Sequence, residues 1–378
     1  MTGERLTDLI PPTRDRLLRT PLCEAPFTNL YFDRKGDARA CCWNAQTPVG
    51  NVRTHTIEEM WSGPAMTALR ESLAGGRFAV GCDFCALQAA DGVNEGLKLA
   101  KFDRFRRPAF DMPQQIEFSI SNACNLGCIM CDGAHSSWIR AHREREPPIP
   151  PAYTDAFLDA LRPYLAAAHQ LKFLGGEPFL VRAHYRMWEG MVADRVSTRC
   201  HVTTNGTQFG RNVERMLSEI PFSISLSLDA ARADTFEAIR VNAKFSEVLA
   251  NARRFVEYTL RAGTSFGFTF CLMRSNWREF GEACRLADDW GVGLSVNTVL
   301  EPEQLSLYAL SPAALGDIVD VLALEAPRLS RALSRNKNVW FGEFERLHRR
   351  CRAEQAQPPI AQAGASRPPN EPGESLTI

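Results

Sequence analysis

Residues 124–131 read CNLGCIMC and place Cys124, Cys128 and Cys131 in the spacing C-x3-C-x2-C. The preceding run, residues 115–121, alternates apolar and polar side chains, which is typical of a half-buried strand. The cysteines therefore lie on a loop that leaves the end of a strand. Three thiolates this close in the chain can hold an iron–sulfur cube and leave its fourth iron open. An open coordination position distinguishes a catalytic metal site from a closed structural one.

This spacing, on the loop after a first strand, resembles the radical S-adenosylmethionine (radical SAM) superfamily. The resemblance implies that the open iron binds the amino and carboxylate groups of S-adenosylmethionine. It also implies that one electron from the cluster cleaves the sulfonium to a 5′-deoxyadenosyl radical, which abstracts hydrogen from the substrate. A zinc loop is the alternative, although zinc sites usually show two paired C-x2-C knuckles.

The composition limits the class of protein. A chain of 378 residues is long enough for one large domain and an accessory one. With 44 basic and 44 acidic residues, it has no basic field for nucleic acid and no polybasic membrane anchor. No apolar run reaches transmembrane length, and the N-terminus lacks a signal-peptide core. Of the twelve cysteines, those that cluster are therefore expected to be metal ligands in a reducing cytoplasm. No nucleic-acid or membrane partner is expected.

Strands and helices alternate after the cysteine loop. Apolar patterning predicts strands at 170–174, 198–204, 222–228, 265–273 and 293–300. Helices are predicted at 153–166, 183–193, 212–219, 233–261 with a break at 242–243, 277–290 and 312–334. With the strand at 115–121, six strands alternate with helices, which indicates a parallel sheet with right-handed crossovers. We therefore expect an α/β fold, a partial (βα)6 TIM-like barrel with its site at the carboxyl ends of the strands.

Short motifs end three of these strands. Gly175-Gly176-Glu177-Pro178 ends the second strand, residues 203–207 (TTNGT) end the third, and residues 225–229 (SLSLD) end the fourth. Glycines let the backbone approach a ligand closely. The motifs resemble the superfamily's GGEP, T-N-G and S-[IL]-D patterns, and this resemblance implies a set of S-adenosylmethionine-binding residues: Gly175, Gly176, Glu177, Asn205, Ser227 and Arg240. For Arg240 a solvated helix position is the alternative.

The first 112 residues carry a second group of cysteines. Residues 28–32 and 38–40 predict a β-hairpin, residues 49–52 a turn, and Thr56 with Glu59 a capped helix start. The four thiols that we assign to one closed metal site are those of Cys23, Cys41, Cys82 and Cys85.

This segment resembles the SPASM/twitch auxiliary-cluster modules of radical SAM enzymes, on Gly36-x4-Cys41, the 50–51 turn, residues 58–61 (EEMW) and the final C-x2-C. The resemblance implies a second, auxiliary 4Fe–4S cluster, and the Gly-x4-Cys spacing favours Cys41 over Cys42 as its ligand. Two features depart from the pattern, since the module precedes the core and has cysteines for only one cluster. A four-cysteine zinc ribbon is the alternative.

The predicted domain organisation has four parts. Residues 1–20 form a disordered lead-in, 21–112 the auxiliary module and linker, 113–335 the radical SAM core, and 336–378 a helix end and disordered tail.

The resemblance as a whole implies a radical SAM oxidoreductase or maturase. It favours hydrogen abstraction from a peptide or protein side chain, for oxidative modification or bond formation, with flavodoxin or ferredoxin as one-electron donor. The same chemistry on a sugar-derived or amino-acid-derived metabolite is one alternative. A non-catalytic zinc-stabilised binding protein is the alternative of another class.

Overall fold

The computed structural model describes residues 17, 19–44, 46–90, 97–105 and 112–355. Nine strands within these residues form one sheet in the order β3-β2-β1-β4-β5-β6-β7-β8-β9. The strands are β1 (Asn29–Asp33), β2 (Asp37–Arg39), β3 (Gly50–Asn51), β4 (Gln115–Ser119), β5 (Gln170–Phe173), β6 (Arg199–Thr204), β7 (Phe222–Ser227), β8 (Phe266–Leu272) and β9 (Gly293–Thr298). The six predicted core strands are β4 to β9, and each pairs in parallel with the next.

Helices connect the strands. They are α1 (Ala25–Thr28), α2 (Ile57–Ser62), α3 (Pro64–Ala74), α4 (Asp83–Ala90), α5 (Ser137–Ile139), α6 (Asp155–Ala160), α7 (Arg162–Ala167), α8 (Arg182–Ala193), α9 (Arg211–Glu219), α10 (Ala233–Ile239), α11 (Phe245–Ala262), α12 (Phe280–Asp289), α13 (Pro312–Ala332) and α14 (Lys337–Gln355). The alternation of strand and helix confirms the predicted α/β class with a partial TIM-like core.

The N-terminal module continues the core sheet. Strand β1 pairs in parallel with β4, and its other edge pairs antiparallel with β2. Phe32, Phe118 and Phe173 lie in one register row and stack, with ring centroids 5.9 and 5.3 Å apart. This fully buried aromatic row joins module and core in one hydrophobic layer, against which helices pack through residues such as Trp188.

The opposite face of the sheet is polar. In the next register row, Tyr31 of β1 lies beside Glu117, which lies beside Lys172, His201 and Ser223. A barrel interior is usually filled by branched apolar side chains. The polar side chains therefore indicate that this face contacts polar groups and is not packed as an apolar barrel interior.

Several local predictions differ from the structure. The helix predicted at 153–166 is two helices that meet at Leu161, two residues before Pro163, whose missing N–H removes a helical hydrogen bond. The turn predicted at 49–52 contains β3, which pairs with β2. The predicted helix end after residue 335 is a full helix, α14, that packs on α13.

Other local predictions agree with the structure. The break predicted at 242–243 is present, since Asn242 has φ +75° between α10 and α11. The capping box of Thr56 and Glu59 is present at the start of α2. Most of the predicted disordered lead-in and nearly all of the tail lie outside the described residues. No helix of the described ranges has the length and apolarity needed to cross a bilayer.

Candidate functional site

The cysteine loop, residues 124–131, follows β4 and is held by backbone hydrogen bonds. The N–H groups of Gly127 and Ile129 donate to the carbonyl oxygens of Val241 and Ile239 at 2.9 and 3.0 Å. These acceptors lie at the end of α10 and in the turn before α11. The three cysteines are therefore carried on a backbone that the core fixes from outside the loop.

The segment after the loop also supports it. The Cys124 N–H donates to Ser137 Oγ at 3.1 Å, and the Ser137 hydroxyl donates to the Cys124 carbonyl oxygen at 3.0 Å. The Trp138 ring covers Gly127 so closely that a Cβ there would lie 2.5 Å from the ring. Residues 137–139 thus form a short helix that supports the cysteine loop.

The three thiols lie close enough to affect one another. Burial raises the pKa of Cys124 to about 11. The pKa of Cys128 is lowered to about 7, mainly by its hydrogen bond with Cys131 and also by the Arg240 guanidinium, against the effect of burial. The pKa of Cys131 is raised well above its usual range by that same hydrogen bond and by burial. Buried thiols favour deprotonation only where a cation or metal ion compensates the thiolate.

Arg240 and Asp229 form a buried ion pair beside these thiols. Arg240 Nη2 lies 2.6 Å from Asp229 Oδ2, and Arg240 Nη1 lies 4.0 Å from Cys128 Sγ. Asp229 is fully buried, and its other oxygen accepts from the Cys271 N–H at 2.7 Å. Arg240 is 7% exposed, so it is not a solvated helix arginine. Its place next to Cys128 puts a fixed positive charge at the cysteine loop.

Glu177 is fully buried, and its carboxylate accepts three hydrogen bonds from other residues of the protein. It accepts hydrogen bonds from Phe179 N–H at 3.1 Å, from the Thr204 hydroxyl at 2.8 Å and from Asn205 N–H at 2.7 Å. Burial raises its pKa to about 7, although these hydrogen bonds and Arg240 act in the opposite direction. The carboxylate thus joins the loops after β5 and β6. The predicted binding of S-adenosylmethionine by Glu177 stays a prediction.

The two glycines of this motif pack directly on the cysteine-bearing segment. Gly175 and Gly176 have φ of +82° and +55°, which strains any other residue. A Cβ on Gly176 would lie 2.4 Å from the Ala123 carbonyl oxygen, and one on Gly175 would lie 2.3 Å from Ser119 Oγ. The Glu177 N–H also donates to the Ala123 carbonyl oxygen at 2.7 Å. The motif is thereby locked against the start of the cysteine loop.

Asn205, which follows β6, contacts the cysteine loop. Its Nδ2 lies 3.8 Å from Cys124 Sγ and donates to Asn125 Oδ1 at 3.1 Å. The Asn125 amide donates in turn to Thr207 Oγ1 at 3.0 Å. Ser227 is the last residue of β7 and is half-buried on the polar face, beside Thr269 in the register. The predicted ligand-binding residues thus come from neighbouring strand ends, as sites in parallel sheets do.

The four cysteines of the N-terminal module line one cavity. Cys23, Cys41, Cys82 and Cys85 all face it, in a lining that is otherwise mainly apolar. Burial raises the pKa of Cys85 to about 12 and that of Cys41 well above its usual range. The Ala25 N–H donates to Cys23 Sγ at 3.4 Å, and Asn44 Nδ2 donates to Cys82 Sγ at 3.7 Å. We call these four cysteines the auxiliary site.

Cys42 differs from its neighbour. It is not among the residues that line the auxiliary cavity, and its Sγ lies 3.6 Å from Lys101 Nζ. All twelve cysteines lie in the described part of the chain, and none forms a disulfide. The geometry therefore places Cys41, and not Cys42, with the other three cysteines of the auxiliary site.

Both cysteine sets suit iron–sulfur clusters by donor type. In the described ranges no three His, Cys, Asp or Glu side chains are arranged around a single metal ion. A cube instead spreads its thiolates over different irons. Beside the cysteine loop, the buried Nε of Arg240 has no hydrogen-bond partner in the described protein, so a donor remains for a bound group. The glycine backbone at 175–176 and this donor fit a small polar ligand at the loop.

Sequence reasoning missed several residues that build these sites. They are Asn125, Ser137, Trp138, Asn44 and Lys101. Asn125 lies inside the cysteine motif, and Ser137 and Trp138 follow it closely. Proximity in the sequence was the one feature that could have indicated their role. Asn44 lies three residues after Cys41 but donates to Cys82, and Lys101 contacts Cys42, beside the auxiliary site. No local pattern in the sequence predicts these two contacts.

Two family models match separate segments of the chain. Residues 118–287 match the family model of the radical SAM superfamily, and residues 23–86 match that of SPASM, an iron–sulfur cluster-binding domain. No curated protein matches the chain.

Solved structures show distant similarity. A structure described as native anSMEcpe with bound AdoMet is 18% identical, covers 58% of this chain and 63% of its own, and has a TM-score of 0.37. Streptococcus suis SuiB bound to precursor peptide SuiA is 14% identical, with 72% and 61% covered and a TM-score of 0.43. The same SuiB bound to S-adenosylmethionine is 12% identical, with 70% and 50% covered and a TM-score of 0.37. This chain spans less than two thirds of the length of each.

Proposed function

Since the chain carries a radical SAM domain with a SPASM domain on its N-terminal side, we propose that it is a radical SAM enzyme that modifies a peptide or protein side chain oxidatively. When bound, the 4Fe–4S cluster and S-adenosylmethionine supply a 5′-deoxyadenosyl radical that abstracts hydrogen from the substrate. One observation carries the proposal. Two predicted motifs meet at the cysteine loop. The GGEP motif donates from Glu177 N–H to the carbonyl oxygen of Ala123, just before the loop, and the T-N-G motif donates from Asn205 Nδ2 to Asn125 Oδ1 within it.

In this proposal Cys124, Cys128 and Cys131 hold the catalytic cluster. The Arg240 guanidinium, 4.0 Å from Cys128 Sγ, offsets the negative charge that the thiolates bring to a buried place. Asp229 holds Arg240 there. Gly175, Gly176, Asn205, Ser227 and Arg240 surround the cofactor, while Glu177 keeps two of these loops together.

The auxiliary site holds a second 4Fe–4S cluster in this proposal. Its ligands are Cys23, Cys41, Cys82 and Cys85, and four thiolates leave no open iron. Because β1 pairs with β4, the module that carries this site belongs to the same sheet as the cysteine loop. An auxiliary cluster so attached can take up the electron that an oxidised substrate radical releases, which suits an oxidative outcome.

The resemblance of the N-terminal segment to SPASM modules favours a peptide or protein substrate. A flavodoxin or ferredoxin is the proposed donor of the electron that starts the reaction. A sugar-derived or amino-acid-derived metabolite is the alternative substrate.

Iron and sulfide content, measured after anaerobic reconstitution, tests the two-cluster proposal. The wild type should bind about eight irons per chain, and a Cys124/Cys128/Cys131→Ala variant about four. About four irons falling to none would leave a single-cluster radical SAM enzyme and refute the auxiliary electron acceptor. Colourless protein with bound zinc would refute radical chemistry altogether.

A second measurement separates the two roles. Cys124→Ala should abolish 5′-deoxyadenosine formation, because it removes a ligand of the catalytic cluster. Cys82→Ala should retain uncoupled cleavage of S-adenosylmethionine in part, because it affects only the auxiliary site. Equal loss in both variants would contradict this division.

A further inference from the structure

Lys101 lies where the N-terminal module meets the core sheet. It belongs to a 3-10 turn, Lys98–Phe102, in which Leu99 and Phe102 are buried and line the auxiliary cavity. The Lys101 ammonium reaches Cys42 Sγ at 3.6 Å and Glu117 Oε1 at 3.6 Å. One side chain therefore bridges Cys42 of the module and a carboxylate on β4.

Lys101 lies beside the auxiliary site. Its ammonium contacts the sulfur of Cys42, the residue that follows the proposed ligand Cys41 in the chain. Leu99 and Phe102 of the same turn line the auxiliary cavity, so the backbone that carries Lys101 forms part of its wall. A compact cation at this range interacts strongly with charge in a poorly hydrated site.

Glu117 holds the ammonium in this position. Its side chain is only 2% exposed, and Lys172 Nζ contacts its other oxygen at 3.3 Å. Burial alone would raise the pKa of Glu117, but Lys172 and Lys101 outweigh it and lower the pKa to about 2. The carboxylate thus stays ionised and tethers a cation on each side, one toward the core and one toward the auxiliary site.

We propose that Lys101, positioned by Glu117, sets the reduction potential of the auxiliary cluster. This inference rests on the proposed function, because it needs a cluster at Cys23, Cys41, Cys82 and Cys85. A cluster with four thiolates gains further negative charge when it is reduced. A fixed cation beside its ligands stabilises the reduced form and raises the potential, since cluster potentials respond to net charge and to hydrogen bonds at sulfur. A higher potential favours electron transfer from a substrate radical to this cluster.

The experiment uses the full chain as a Cys124/Cys128/Cys131→Ala variant, in which the auxiliary cluster is the one proposed to remain. Its midpoint potential is measured by EPR-monitored redox titration after reconstitution. Lys101→Met and Lys101→Gln should both shift the potential to more negative values at unchanged iron content. Lys101→Arg, which keeps the positive charge, should leave the potential close to that of the parent variant. Lys172→Met is the matched control, because it removes an equal charge from the other side of Glu117 and should shift the potential much less.

Three results would overturn the inference. The first is an unchanged potential in fully loaded Lys101→Met and Lys101→Gln. The second is an equal shift in Lys172→Met, which would indicate a general charge effect. The third is loss of iron from both neutral variants, which would make Lys101 structural. Failure of the proposed function itself is distinct, since the parent triple variant would then bind no iron before Lys101 is changed.

Discussion

Glu177 and Asn205 are joined by a 2.7 Å hydrogen bond in which the buried carboxylate accepts from the backbone N–H of Asn205. The same carboxylate accepts from Thr204, the last residue of β6. Asn205 Nδ2 in turn approaches Cys124 Sγ. The Glu177 carboxylate therefore fixes the position of the loop after β6 relative to the cysteine loop. The acidic residue of the motif is thus a positioning residue that acts through Asn205.

Replacing Glu177 with Gln tests this role. The amide nitrogen would face a donor, so at least one of the three hydrogen bonds would be lost, at a cost of about 1–3 kcal/mol in the free energy of unfolding. We expect weaker binding of S-adenosylmethionine by the reconstituted protein as well, measured by equilibrium titration. Glu214→Gln, on the exposed pair with Arg254, is the control and should change stability by less than about 1 kcal/mol. Equal effects of the two substitutions would contradict the positioning role.

The core of this fold was predictable because its signals are local. The period of apolar residues predicted the six parallel strands, and the break expected at 242–243 lies between α10 and α11, where Asn242 has a positive φ. The cysteine spacing and the strand-end motifs placed the candidate site at one edge of the sheet, because parallel strands bring their carboxyl ends together.

Long-range pairing was not predictable. The sequence separated the N-terminal hairpin from the core, whereas β1 joins β4 across a long stretch of chain. The packing partner that makes this favourable is a row of phenylalanines, Phe32, Phe118 and Phe173, and no short window contains all three. The hydrogen bonds of Glu177 and the bridge through Lys101 depend on that same assembly, so they too required the structure.

The ion pair of Arg240 and Asp229 predicts strongly non-additive mutations. Arg240→Met leaves a fully buried carboxylate without its cation, which should lower the free energy of unfolding by about 3–5 kcal/mol. Adding Asp229→Asn removes the uncompensated charge while keeping an acceptor for the Cys271 N–H, so the double variant should recover part of the loss. Urea unfolding of the reduced apoprotein measures this cycle. Additive effects of the two substitutions would show that the pair is not coupled.

His184 predicts an acid-sensitive loss of stability. It is fully buried, its Nδ1–H donates to the Pro178 carbonyl oxygen at 3.2 Å, and burial lowers its pKa to about 3 from 6.5. Because the folded-state pKa lies below the unfolded one, its contribution is complete above pH 6.5 and is lost as the pH falls toward 3. Uptake of this proton by the unfolded chain should lower the free energy of unfolding by up to about 1.4 kcal/mol for each pH unit of acidification in this window.

The variant His184→Phe keeps an aromatic ring against Phe173 and Trp188 but removes the titrating group. Its free energy of unfolding should fall less between pH 6.5 and 5.5 than that of the wild type. Some slope should remain, since burial also lowers the pKa of His201 to about 3. The difference in free energy of unfolding between the variant and the wild type at pH 8, where His184 is neutral in both states, measures the effect of the packing change alone. An unaltered slope in the variant would remove His184 as the source.

Cys41 and Cys42 offer a matched pair for the auxiliary site. Cys41 lines the cavity with Cys23, Cys82 and Cys85, whereas Cys42 contacts Lys101 and does not line it. In the Cys124/Cys128/Cys131→Ala variant, Cys41→Ala should therefore reduce bound iron from about four atoms to near none, because three thiolates hold the closed site poorly. Cys42→Ala should retain the iron. Iron and sulfide analysis of the reconstituted chains measures both, and retention by Cys41→Ala with loss in Cys42→Ala would exchange the two assignments.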